Sequence, residues 1–398
     1  MNPNLANLHA YPFEKLKQLI QGSIPPVEKD PISLSLGEPQ HSTPEFISAE
    51  LVAQLDGLTK YPSTKGLPEL RETIKHWLEN RYRLAPESLD PAQHILPLNG
   101  TREGLFSIAQ SVVDSQSKPI VAMPNPFYQI YEGAALLAGA EPYYLDTSSN
   151  QGFVPDFDSV PNTIWNRCQL LYICNPGNPT GATVDLQTLQ KLIQLADQYD
   201  FVIASDECYS EIYLDESQPP VGLLQAAAAI GNTQFKNCVV FHSLSKRSNA
   251  PGLRSGFAAG DAEILSRYLL YRTYHGCAMS LPIQMASIKA WSDESHVRHN
   301  RSLYRQKFTA VSEILADSWP VDIPAASFYL WPETPISDTE FAHKLYSEEH
   351  VTVLPGSFLS RPSAHDDPGR NRVRMAMVAT LDECVEAAHR INHLIHNL

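Results

Sequence analysis

The sequence predicts an α/β protein in which a mostly parallel central sheet lies between helices, joined to a smaller α+β unit. Short, continuously apolar runs recur through the middle of the chain, as strands buried on both faces require. Amphipathic helical patterns separate these runs. Each run stops at a cluster of polar or turn-forming residues. The carboxyl ends of such strands are where open α/β sheets bind their ligands.

In chain order, residues 1–40 read as a short helix, a proline-rich stretch and the turn Gly37-Glu38-Pro39. The run 95–98 precedes a helical pattern over 105–113. The run 120–123 ends at Pro124-Asn125-Pro126, and 170–174 ends at Asn175-Pro176-Gly177. A helix is expected over 186–199, with apolar residues at 186, 189, 192, 193 and 196. The run 201–204 ends at Ser205-Asp206, and 239–241 at His242-Ser243. From about 285 the pattern changes to long polar helices with a few strands, such as 327–331 and 351–354. The expected division is a large domain over 41–284 and a smaller one made of the arm 1–40 and residues 285–398.

Composition narrows the class. At 398 residues, 43% of them hydrophobic, the chain can bury a sizeable core. A formal net charge of −14 argues against nucleic acid as the main partner and gives no support for an anionic membrane. The six cysteines (Cys168, Cys174, Cys208, Cys238, Cys277 and Cys384) form no C-x-x-C pair, so reduced thiols are expected and no metal site. The opening MNPNLANLHAYPFEKLKQLI lacks a basic region followed by an apolar one, so no secretory signal is expected. No apolar run approaches the roughly 18 residues of a membrane helix. A cytoplasmic protein follows as the expectation.

Four polar clusters carry the chemistry. In 243–254, SLSKRSNAPGLR, Lys246 comes just past an apolar strand with Ser243, Ser245 and Arg254 around it. Hydroxyls with an arginine fork form a phosphate-binding set. A lysine amine beside that phosphate suits Schiff-base chemistry with an aldehyde cofactor. In Ser205-Asp206-Glu207-Cys208-Tyr209, Asp206 can pair with a protonated ring nitrogen at the base of a site. Asn175-Pro176-Gly177-Asn178-Pro179-Thr180-Gly181 forms a rigid loop that can aim the Asn178 amide at a ligand oxygen. In Asn99-Gly100-Thr101-Arg102-Glu103-Gly104, small residues at a helix start leave backbone N–H groups free for an anion.

Taken together, N-P-G-N-P-T-G, D-E-x-Y and S-x-S-K-x-x-x-x-P-G-x-R, in this chain order, resemble the fold-type I, aspartate-aminotransferase-like enzymes that use pyridoxal 5'-phosphate. The resemblance spans the chain from Gly37 to Arg374. It implies that Lys246 binds the cofactor covalently and shuttles the proton, and that Asp206 pairs with the pyridine nitrogen. It implies that Tyr209 and Asn178 hydrogen-bond the phenolic oxygen. Ser243, Ser245 and Arg254, with the backbone of Gly100 and Thr101, would hold the phosphate. Phe127 falls where the family stacks an aromatic ring on the cofactor. Tyr61 falls where a tyrosine reaches the phosphate of the neighbouring subunit, which implies a homodimer with shared sites. Arg374 matches the arginine that forks onto the substrate α-carboxylate, and Gly37 the small residue that lets the substrate approach.

Longer stretches, among them NPFYQIYEGAALLAGAEPYYL and LLYRTYHGCAMS, resemble succinyldiaminopimelate aminotransferases. That likeness implies glutamate as amino donor and N-succinyl-2-amino-6-oxopimelate as acceptor, in diaminopimelate and lysine biosynthesis. The residue chemistry by itself leaves other amino acids, such as aspartate or alanine, and β-elimination open. A non-catalytic ligand sensor is the remaining alternative. Lys65, Arg102, Arg272 and His275 are candidates for the side-chain pocket, and no role is assigned to Tyr274.

Overall fold

The computed structural model describes residues 1–363 and 367–398. Strand β1 (Ile32–Ser33) lies outside the main sheet. The central seven-stranded sheet contains β2 (Ile95–Leu98), β3 (Ile120–Asn125), β4 (Glu141–Asp146), β5 (Cys168–Cys174), β6 (Val202–Asp206), β7 (Cys238–Ser243) and β8 (Gly256–Gly260), in the order β2-β8-β7-β6-β5-β3-β4. Only β8 runs against its neighbours; the pairs β7–β6, β6–β5, β5–β3 and β3–β4 are parallel. The fold is therefore the expected α/β one with a mostly parallel sheet.

Alternation along the strands explains the continuous apolar runs. In β5, Leu170 and Tyr172 enter the core on one face of the sheet, and Leu171 and Ile173 the core on the other. Both faces are thus dry, and helices cover them. The helix Leu186–Tyr199 is the clearest case. Asp185 caps it by accepting the Thr188 N–H at 2.8 Å, and Leu189, Leu192, Ile193 and Ala196 are its buried residues. Such a cap contributes about 1 kcal/mol.

A second core gathers residues distant in sequence. Ile32 and Leu34 from the N-terminal arm pack with Tyr304, Phe308, Leu345, Val373 and Ile391. There β1 pairs with β10 (Val351–Thr352), while β12 (Val373–Ala376) lies between β9 (Tyr329–Leu330) and β11 (Leu354–Pro355). The single strand expected over 351–354 is thus two strands in different sheets. In the helix Leu281–Ser292, Ala286, Ala290 and Trp291 belong to the central-sheet core.

Candidate active site

The carboxyl ends of β6 and β7 open onto a cavity of about 490 Å³ whose other wall comes from the second core. Gly37, Thr101, Asn178, Asp206, Tyr209, Ser243, Ser245, Lys246, Arg254 and Arg374 all line it.

Lys246 sits in the short helix Leu244–Arg247, which follows β7 without a break. Ser243 caps that helix, its Oγ accepting the Ser245 N–H at 3.1 Å. The Lys246 Nζ donates to the Gly37 carbonyl and lies 5.4 Å from the Phe328 ring centroid. Burial pushes the ammonium down to about 8, and the Arg374 charge pushes the same way. A lysine held there keeps a larger neutral, nucleophilic fraction near neutral pH than an exposed one does.

Asp206 ends β6 and is buried. Its Oδ2 accepts the Tyr131 hydroxyl at 2.7 Å and its Oδ1 the Cys208 N–H at 3.2 Å. Burial raises its pKa, against those two hydrogen bonds. Among the described residues no lysine or arginine forms an ion pair with it, so a cation placed against it would be strongly favoured.

At the other end, Gly100 has φ +83° and begins the helix Thr101–Val112. The backbone angle favours glycine at position 100, and the Arg254 guanidinium packs close against it, where a Cβ would stand. Arg254 donates to the Pro251 carbonyl at 2.8 Å, and the Ser243 and Ser245 hydroxyls lie 2.9 Å apart. Two hydroxyls, a guanidinium and a helix N-terminus face the same space, a set of donors that suits an anion.

Arg374 projects from β12 across the opposite wall. Its Nη2 donates to the Ser35 carbonyl at 2.7 Å and its Nη1 to Asn178 Oδ1 at 3.0 Å. Its guanidinium lies 4.6 Å from the Tyr329 ring centroid, and the Tyr329 hydroxyl is 3.0 Å from that of Tyr209.

The description "Aminotransferase class I and II" matches residues 29–391 of this chain. The chain is a class I and II aminotransferase. It is 30% identical over 394 residues, 97% of each chain, to an LL-diaminopimelate aminotransferase of Syntrophobacter fumaroxidans. A crystal structure of an aminotransferase from Neisseria meningitidis matches with TM-score 0.95 and 47% identity, covering 99% of this chain and 100% of that one. A probable N-succinyldiaminopimelate aminotransferase from Thermus thermophilus matches with TM-score 0.83 and 26% identity, covering 96% and 99%.

The cofactor of this aminotransferase is pyridoxal 5'-phosphate, and the residues present fit it. The buried Asp206, with no lysine or arginine ion pair among the described residues, suits a protonated pyridine nitrogen, the helix start at Gly100 suits a phosphate, and Lys246 lines the same cavity.

Two expected site residues of the aminotransferase lie elsewhere. Phe127 does not line the cavity. Its N–H is pinned to the Leu359 carbonyl at 3.1 Å, and its ring is buried against Tyr144, 5.5 Å between centroids, under the Arg361 guanidinium. Its neighbour Tyr128 lines the cavity instead and accepts Arg102 Nε–H at 2.7 Å. Consecutive side chains at a helix entry point in different directions, and the ring that faces the site is one residue further on. Tyr61, expected at the neighbouring subunit's site, is fully exposed and does not line this chain's own cavity.

Sequence reasoning also missed Tyr131, Tyr128, Tyr329 and Cys208. Tyr131 shares the segment Pro126-Phe127-Tyr128-Gln129-Ile130-Tyr131, but only the fold brings its hydroxyl to Asp206. Of the pocket candidates, Arg102 lines the cavity and Lys65 does not. Arg272 is committed to both Glu103 carboxylate oxygens, at 2.6 and 2.8 Å. His275 faces Cys277 at 2.9 Å, outside the cavity.

Proposed function

We propose that this aminotransferase transfers the amino group of glutamate to N-succinyl-2-amino-6-oxopimelate. The convergence of Lys246, Asp206 and Arg374 on one cavity carries the reading of the reaction. Bound pyridoxal phosphate supplies an aldehyde that captures the amino group and an electron sink for the α-carbon. Lys246 would hold the cofactor covalently, and its amine, when free, would move the proton between the substrate α-carbon and C4' of the cofactor. Asp206, aimed by Tyr131 and the Cys208 N–H, keeps the pyridine nitrogen protonated. Tyr209 and Asn178 donate to the phenolic oxygen. Ser243, Ser245, Arg254 and the N–H groups at Gly100 and Thr101 hold the phosphate, and Tyr128 covers the ring.

Arg374 forks onto the α-carboxylate that donor and acceptor share. Gly37 makes room for the Tyr329 hydroxyl at the cavity wall, since a Cβ there would collide with it. One site serving both substrates in turn requires ping-pong kinetics. Tyr61 reaches the partner's phosphate in a homodimer, which its complete exposure in one chain supports. Six unpaired cysteines in an acidic chain suit a reducing cytoplasm.

The acceptor is supported by the likeness to the probable N-succinyldiaminopimelate aminotransferase and by a cavity of about 490 Å³ with Arg102 on its wall to meet a distal carboxylate. The 30% identity to an LL-diaminopimelate aminotransferase favours a second reading, in which free diaminopimelate is the amino donor. Two measurements test both. Glutamate alone must convert stoichiometric enzyme-bound cofactor to its amine form; if it does not, transamination from glutamate is wrong. In steady state, kcat/KM for the N-succinyl acceptor should exceed that for ordinary keto acids by about 100-fold or more. Preference for LL-diaminopimelate without the succinyl group would transfer the assignment to the second reading.

A further inference from the structure

Behind the catalytic lysine runs a buried polar chain that the reaction described above does not use. It starts at Lys307 in the helix Ser295–Leu315, a lysine only 2% exposed. Its Nζ lies 2.7 Å from His41 Nε2 and donates to the Val378 carbonyl at 3.3 Å. Among the described residues it has no carboxylate in ion-pair range. His41 Nδ1 is 2.9 Å from Asn300 Oδ1, and Asn300 Nδ2 donates to the backbone carbonyl of Lys246 at 3.2 Å. Asn300 Oδ1 also accepts from Asn249 at 3.0 Å. Tyr304 supports the chain from one side, its ring 4.8 Å from that of His41 and 5.3 Å from Lys307 Nζ.

The direction of every hydrogen bond follows from one fixed end. The Lys246 carbonyl can only accept, so the Asn300 amide must turn its NH₂ towards it and its oxygen towards His41. His41 Nδ1 must then carry the hydrogen, which leaves Nε2 with the lone pair that Lys307 fills. The relay is therefore polarised from Lys307 to Lys246 and carries a single charge. Burial holds Lys307 down to about 8 and His41 below its ordinary range. The other titrating groups in their surroundings are His299 near His41, and Cys384 and Glu383 near Lys307.

The relay also closes a loop around the site. His41 follows the segment whose Gly37 carbonyl receives Lys246 Nζ, and Thr43 Oγ1 donates to the Asn249 carbonyl at 2.6 Å. Segments 37–43 and 246–249 are thus tied at the lysine's tip, at its backbone and beyond it.

We propose that Lys307, acting through His41 and Asn300, is a positioning residue for Lys246, holding its backbone so that the amine stays aligned with the Gly37 edge of the cavity. This rests on Lys246 being the cofactor lysine, which the pH-dependent absorbance of the native holoenzyme tests separately. If that absorbance shows no lysine-bound cofactor, the site reading fails before the relay is tested.

The experiment compares holoenzymes of the native protein, Lys307→Met and His41→Phe. Methionine keeps the length of the chain, and phenylalanine keeps the ring on Tyr304. The expected result is cofactor retained, a shift of at least half a pH unit in the midpoint of the cofactor absorbance titration, and kcat reduced about tenfold with the KM for glutamate within twofold. An unchanged midpoint and kcat in folded variants would overturn the proposal. Failure of both variants to fold would overturn it too, by assigning the network to stability.

Discussion

Phe127 and Tyr128 are adjacent aromatics with opposite surroundings. Phe127 is enclosed by Tyr144 and Arg361, whereas Tyr128 faces the cavity with its hydroxyl on Arg102. Their substitutions should separate cleanly. Phe127→Ala is expected to lower stability by about 3–5 kcal/mol, as other buried aromatics do on truncation, with cofactor affinity in the folded protein unchanged. Tyr128→Ala is expected to weaken cofactor binding about two- to tenfold, through the loss of about 0.5–1.5 kcal/mol of stacking-type contact, with little change in melting temperature. Denaturant titration and cofactor Kd on both variants check this; a cofactor defect in Phe127→Ala alone would reverse the assignment. The failure at this position has a simple cause. Sequence order locates the aromatic pair to within one residue, but which ring faces inward depends on the local backbone direction, here set by the Phe127 N–H on Leu359.

At the scale of elements, the long helix Ser295–Leu315 bears the proposed relay on one side and an ion-pair network on another. Arg301 grips both oxygens of Glu216, at 2.9 and 2.7 Å, and Arg305 adds a third bond at 2.8 Å. The Arg301 hydrogen bond is the main cause that pulls the Glu216 carboxyl down to about 2, with Arg305 helping and burial opposing. The folded value lies below the unfolded one of about 4.5, so the folded state binds fewer protons at this group. Its contribution is therefore present above pH 4.5 and is lost as pH falls towards 2. Because Glu216 is 45% exposed, that contribution is about 1 kcal/mol or less. Glu216→Gln should melt lower than the native protein at pH 6 in low salt, and the gap should narrow below pH 4.5 and largely close as pH falls to about 2. A gap that stays constant over that range would show that the carboxylate is not what holds the helix. Elements also show where patterning works. The helix Leu186–Tyr199 was legible because a solvent-facing helix must alternate its faces. The stretch 351–354 was not divided correctly, since its apolar residues give no sign that β10 and β11 join different sheets.

For the whole molecule, the proposed dimer makes a prediction that a monomer cannot satisfy. If Tyr61 serves the partner's site, Lys246→Ala and Tyr61→Ala subunits should complement each other. A mixed dimer contains one site with both Lys246 and a partner's Tyr61, and one with neither. Mixing and reassembling the two variants should therefore raise activity, and tighten cofactor binding at the restored site, above the mean of the separate preparations. Activity equal to that mean at every mixing ratio would place Tyr61 outside the site. The exposed Tyr61, Leu58, Leu270 and Tyr274 leave apolar surface for such an interface.

The sequence by itself determined the α/β class and the family, and it singled out Lys246, Asp206, Asn178, Arg254 and Arg374, which the fold brings to one cavity. Those features are written locally, as apolar runs that must be buried and as short motifs whose residues act within one strand end or loop. Only the tertiary structure decided that Tyr128 and not Phe127 faces the cavity, that Tyr131 buttresses Asp206, and that Lys307 connects through His41 and Asn300 to the backbone of Lys246. These relations join residues up to some hundreds of positions apart, and no local pattern records them. They exist because burial leaves each polar atom a small choice of partners, and the packing of two cores makes that choice.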